Sequence, residues 1–228
     1  MSQKNIIQTP LYKGLQYFYA FLMTNIYFIL CNALIVVTFF SVPASFSSLL
    51  LYYAALIPMG PSLTALFYTM GKLHREKAVQ PTRDFFQSYK MNFSISIRYW
   101  LVQLTVLMVL FVDVLYVLSN GYMVWTIIGV VALAIALIMT INGFATLATF
   151  EVSIKNLIIF SVLMIKHYFL KALLNLSTIL AFAIIWYGYP SEATLGIFSI
   201  TVYFLMRTNY SVLIELKNNY SSETGDQL

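Results

Sequence analysis

Two ionisable side chains lie deepest in apolar sequence: Asp113 in FVDVLYV and Arg207 in VYFLMRTNY. A charge at membrane depth is expensive, so such residues are functional candidates by default. Asp113 comes five residues before Leu118, close to the end of its apolar run. There a structural pairing and a functional role are equal readings. Arg207 follows Ala193 by fourteen residues and can snorkel to an interface along its own stem. The two depths differ by roughly two helical turns, ~10 Å, which argues against a direct pair.

A third feature with chemical potential is the stretch IPMGPSLTALFYTMGKLHRE, residues 57–76. Pro58 and Pro61 lack backbone donors, and each clashes with the turn before it. With Gly60 between them, the spacing predicts a helix broken near its middle, Pro61 opening the second half with Gly60 as its cap. The apolar segments 45–57 and 61–72 would each reach about 18–20 Å, so together they can cross a ~30 Å hydrocarbon core. A break in lipid must find partners for its freed carbonyls, so this segment faces protein or a wet cavity. Pro58, Gly60, Pro61 and Thr64 are therefore candidates for a ligand or partner contact at a half-helix terminus. The competing reading is a kink that only shapes packing.

Outer aromatics form a fourth set. Tyr122, Trp125, Trp186 and Tyr187 gather with Tyr116 and Tyr189 at predicted span ends. They read as an interfacial belt or as a platform for stacking sugar rings. Enzymatic motifs are missing: there is no paired-carboxylate motif, metal-spaced Cys or His set, Gly-rich phosphate loop or Walker motif. His74 and His167 lie in basic stretches and read as interfacial side chains. No catalytic residue, metal or cofactor is expected, and the chain is read as non-enzymatic.

The elements that position these groups follow from composition. The 228 residues are 61% hydrophobic and 9% charged, with mean hydropathy +0.82. Soluble domains carry about 25% charge, so the fold class is an all-α, polytopic membrane helix bundle forming a single domain. The hydropathy predicts about six spans, near 17–40, 45–72, 99–118, 122–150, 172–187 and 193–213, and a polar tail over 214–228 with a disordered end. Pro10 is expected to break any helix in the polar N-terminal segment. Pro81 is expected to start an amphipathic helix whose face carries Phe85, Phe86, Tyr89 and Phe93, lying at lipid headgroups or against another protein. Residues 151–171 read as a second interfacial helix leading into the fifth span. The fourth span holds Gly129, Ala132, Ala136, Gly143, Ala145 and Ala148, which allow close helix approach. The lone Cys31 lies inside the first run and can form no internal disulfide.

Charge placement orders these spans. With Arg207 counted toward the end of its span, all 13 Lys and Arg fall on the side holding both termini and the connections 71–98 and 151–171. By the positive-inside rule that side is cytoplasmic, in a cytoplasmic membrane. The same segregation accounts for the net charge of +5 without any nucleic-acid partner.

GPSLTALFYTMGKLHRE, then DFFQSYKMNFSISIRYW, then FVDVLYV resemble the bacterial YesL family of membrane proteins. Gly60, Pro61, Thr64, Ala65, Phe67, Phe85, Phe86, Asn92 and Phe93 occupy the family's pattern, and TFEVSIKNLIIFSVLMIKHYFLKAL resembles its later cytoplasmic segment. This chain carries Gly71-Lys72-Leu73-His74 where an Arg-Lys-Trp type segment is common. The resemblance implies partners: carbohydrate ABC importers, with permease and ATPase subunits, and sensor kinases of two-component systems. The expectation is an auxiliary subunit of a sugar importer, held in membrane lipid and bound to the permeases. The alternatives are an independent small-solute transporter or channel, and an accessory of a sensor kinase. For the topology, a membrane-impermeant probe should label tags near Val42, Asn120 and Pro190 on intact cells; labelling only after lysis would invert it.

Overall fold

The computed structural model describes residues 10–43 and 45–224. Among them are eleven α-helices and one short 3-10 turn, with no strand. Among the described residues five helices are long and apolar enough to cross a membrane, and one bent pair makes a sixth when its two halves are counted as one span. The protein is a membrane-spanning helical bundle, as its composition requires.

α1 (Pro10–Cys31) begins at the proline expected to prevent a helix. Proline suits the first helical position, where its missing donor has no intrahelical use. The first span is also not continuous. Asn32 separates α1 from α2 (Ala33–Ser41), its side-chain amide donating to the Phe28 carbonyl at 2.7 Å. The side chain competes for a backbone acceptor, a habit of Asn that disturbs helix interiors.

After a turn at Phe46–Ser48, α3 (Leu49–Leu56) and α4 (Met59–Glu76) form the predicted broken span. Its second half opens at Met59 with Pro58 at the N-cap position, so Gly60 is not the cap and Pro61 falls inside the first turn. The two halves meet at 47°. α4 is the centre of the molecule. Its residues from Gly60 to Leu73 are buried on nearly every face, against α1, α5 (Pro81–Met91), α6 (Phe93–Ser119), α7 (Met123–Leu147) and α11 (Ile197–Thr224). Lys77 ends it in a left-handed conformation, φ 59°, returning its N–H to Leu73.

α5 starts at Pro81 as its pattern predicts. Part of its face is turned onto the protein's own core: Phe85 is fully buried, against Tyr27 of α1, while Phe86 and Phe93 remain exposed. Asp84 pins it in place by taking Lys72 Nζ at 2.8 Å and the Gln80 N–H at 2.9 Å. A bend at Asn92 then leads into α6. α6 runs antiparallel to the broken span, pairing Ser96 with Thr64 and Thr105 with Tyr53.

α6 and α7 are joined by a tight turn in which Gly121 has φ 78°. The small residues of α7 do what their size permits. Gly129 admits Val114, and Gly143 admits Tyr99, whose hydroxyl donates to the Met139 carbonyl at 2.9 Å. α8 (Ile154–His167) turns Leu157, Phe160, Ser161 and Met164 inward on one helical face. α9 (Phe169–Gly188) and the short α10 (Pro190–Thr194) complete the circuit to α11. Asn175 of α9 donates to Asn209 of α11 at 2.7 Å, both buried. α11 continues to Thr224, so residues 214–224 are helical where a polar, partly disordered tail was expected. Polarity ends a span, not a helix. Lys4 and residues 225–228 of the predicted tail lie outside the described residues.

The Gly143 contact is testable because a Cβ there would overlap the Tyr99 hydroxyl and ring. Gly143→Ala should lower unfolding stability in detergent by about 1–3 kcal/mol. Gly14→Ala, whose Cβ meets nothing within 4 Å, should be neutral or slightly stabilising.

Candidate functional site

Pro58 and Pro61 each remove the N–H that would close a helical hydrogen bond. The carbonyls so released can be followed one by one. Ala54 O is taken by the Ile57 N–H at 3.2 Å, and Ile57 O by the Gly60 N–H at 3.4 Å, both as tighter turns. The second substitution draws the Gly60 N–H away from Leu56 O. That carbonyl accepts from the indole Nε1 of Trp100, on α6, at 2.8 Å. Gly60 makes the approach possible: a Cβ there would lie 2.6 Å from Trp100 Cβ and 3.0 Å from the Ser96 carbonyl.

A second polar layer surrounds the break. Thr64 Oγ1 and Ser96 Oγ are 2.8 Å apart, both buried. Asn32 Nδ2 donates to Ser62 Oγ at 2.7 Å, so the interruptions of the first and second spans face each other. The side-chain Oδ1 of Asn32 is buried with no partner among the described residues. Aromatic rings close the far side, with Phe144 between Phe67 and Trp100 at 6.1 and 5.9 Å. Chemically the set is neutral: amide, hydroxyls and an indole, suited to holding backbone rather than to moving protons.

Pro58, Gly60, Pro61 and Thr64 are thus brought together, Gly60, Pro61 and Thr64 buried. Asp113 and Arg207 are not. Both are exposed side chains, on α6 and α11, and no ion pair joins them among the described residues. Tyr122 and Trp125 at the start of α7 are exposed, as are Trp186 and Tyr187 at the end of α9. No ring contact unites the two pairs among the described residues. Trp186 instead donates to Thr194 Oγ1 at 3.1 Å and lines an apolar groove of about 270 Å³ with Phe28, Met59, Leu63 and Phe198.

Three residues of the junction escaped sequence reasoning: Asn32, Ser96 and Trp100. Ser96 and Trp100 do carry a signal, being four apart and hence on one helical face. At the basic end, a polar cavity of about 540 Å³ gathers Gln16, Lys72, Glu76, Arg83, Asp84 and Gln87.

Replacing Trp100 by Phe should strand the Leu56 carbonyl at a cost of about 1–3 kcal/mol. In a Pro61→Ala background the cost should fall, because an N–H at position 61 can take Ile57 O and release the Gly60 N–H to Leu56. A double-mutant cycle of unfolding in detergent measures this coupling; equal costs in both backgrounds would rule out the relay.

Residues 21–114 match a family model described as a protein of unknown function, DUF624. The matched stretch runs from α1 into α6 and contains the polar contacts of the junction, from Asn32 to Trp100, and also the Lys72–Asp84 pair, but not Phe144. No curated protein and no solved structure matches the chain.

Proposed function

We propose that this protein is a non-enzymatic auxiliary subunit of a bacterial carbohydrate ABC importer, a YesL-type protein seated against the permease pair in the cytoplasmic membrane with both termini inside. The observation that carries the reading is Asp113. It stands on an exposed face of a spanning helix, flanked by Phe111 and Leu115, which are also exposed. A carboxylate in that setting is poorly served by acyl chains and well served by a donor on a neighbouring helix. The surrounding surface agrees: between Thr105 and Ile135, among the described residues, only Thr126 is buried. The importer as the partner rests on the family resemblance.

The amphipathic helices enter this reading in altered form. Phe85 of α5 is spent on the protein's own core, which leaves the opposite face, with exposed Arg83 and Lys90, to meet the permease or ATPase. An independent transporter is less well supported, because the hydroxyls and carbonyls at the broken span bind one another. A sensor-kinase accessory would use the same exposed surface; deleting the gene would then change kinase output while uptake by a constitutively expressed importer stayed constant.

Purified from detergent that keeps the importer intact, the full chain should elute with the permeases, and Asp113→Leu should weaken the association. A clean monomer under those conditions, or solute flux by the protein alone in liposomes, would refute the assignment.

A further inference from the structure

At the basic end of the bundle, one cation is neutralised and its neighbours are not. Lys72 is paired with Asp84, and this is the one ion pair among the described residues. Arg75, three residues further along α4, has no carboxylate partner there. Its Nη1 is buried without a hydrogen bond, 3.4 Å from where a Cβ on Gly71 would lie. Its guanidinium sits over the Tyr210 ring at 5.6 Å. His74 is held edge-on between Tyr203 and Tyr210, each centroid at 6.0 Å, with Nδ1 also buried and unbonded.

Arg207 belongs to the same cluster. Tyr203, Arg207 and Tyr210 follow one another at spacings of four and three, one stripe of α11. Since both tyrosines flank His74, the arginine between them rises from the face turned toward it. Arg207, Arg75 and Lys77 all act electrostatically on His74. Arg207 and Lys77 are exposed, so the cluster opens outward. It also lies where the apolar sequence of α4 stops, FYTMG giving way to KLHREK. On the topology read from charge placement, that end of α4 meets the cytoplasmic headgroups.

Two arginine forks with no internal acid, walled by tyrosines at the edge of the hydrocarbon, match a tetrahedral oxyanion better than a cation or neutral polyol. We propose that Arg75 and Arg207, with Tyr203, Tyr210 and His74 around them, bind the phosphate of an anionic membrane lipid. The same chemistry would accept free phosphate, and the two sources separate experimentally.

The full chain in detergent is titrated with phosphatidylglycerol or phosphatidylethanolamine, and retained lipid is counted by native mass spectrometry. Phosphatidylglycerol should be retained in preference, and Arg75→Gln and Arg207→Gln should each lower its retention about fivefold. Arg98→Gln, exposed on α6, should leave it unchanged. Inorganic phosphate is added to lipid-free protein in parallel. A rise in Tm that both variants lose, without phosphatidylglycerol preference, would keep the phosphate site and assign it a soluble source. Equal lipid retention by the wild type and the two variants, with no phosphate effect on Tm, would overturn the site. Should Arg75→Gln fail to fold, Arg207→Gln alters only an exposed side chain and decides the matter alone.

Discussion

In hydrocarbon, every backbone polar group must find a partner within the protein. The rest of this bundle is arranged around one instance of that constraint, the Leu56 carbonyl that Pro61 leaves over by diverting the Gly60 N–H, met by the Trp100 indole. To deliver that indole, α6 must run antiparallel to the broken span in one register. The same register sets Ser96 against Thr64 and Thr105 against Tyr53. Gly60 must lack a side chain for the ring to approach, and Phe144 of α7 then packs against the indole. A bend that looks like a local effect of two prolines is therefore a tertiary contact among α3, α4, α6 and α7.

Some of this was legible in the sequence because it follows from residue chemistry alone. A proline removes a donor wherever it stands, so the break at Pro58 and Pro61 could be placed directly. Span count followed from hydropathy, and the close helix approach at Gly129 and Gly143 from size. What stayed hidden depends on a partner distant in sequence. Trp100 beside Tyr99 resembles an interfacial anchor until the register shows which carbonyl it reaches. Asn32 in an apolar run looks tolerated, and it becomes a break because Phe28 O and Ser62 Oγ both accept from it. The pattern of α5 announced an apolar face without saying that Tyr27 of α1 would cover part of it.

Two segments share a construction. α5 and α8 are short amphipathic helices rich in basic residues, each followed by a bend, at Asn92 or Tyr168, and then by a long apolar helix. In both, one face is used against the bundle while lysines or arginines remain outside: Arg83 and Lys90 on α5, Lys155 and Lys166 on α8. Only α5 is tied down by an ion pair among the described residues, Asp84 with Lys72. That bond fixes the end of α4 and, through it, the position of His74 and Arg75 next to α11.

The 44-residue separation between Leu56 and Trp100 also bears on biogenesis. A ribosome releases the broken span well before the indole that completes it. Until α6 enters the bilayer, the exposed carbonyl has to be hydrated or shielded by the insertion machinery. α3 and α4 cannot mature as an independent pair in lipid, and their insertion is coupled to that of the helix made next.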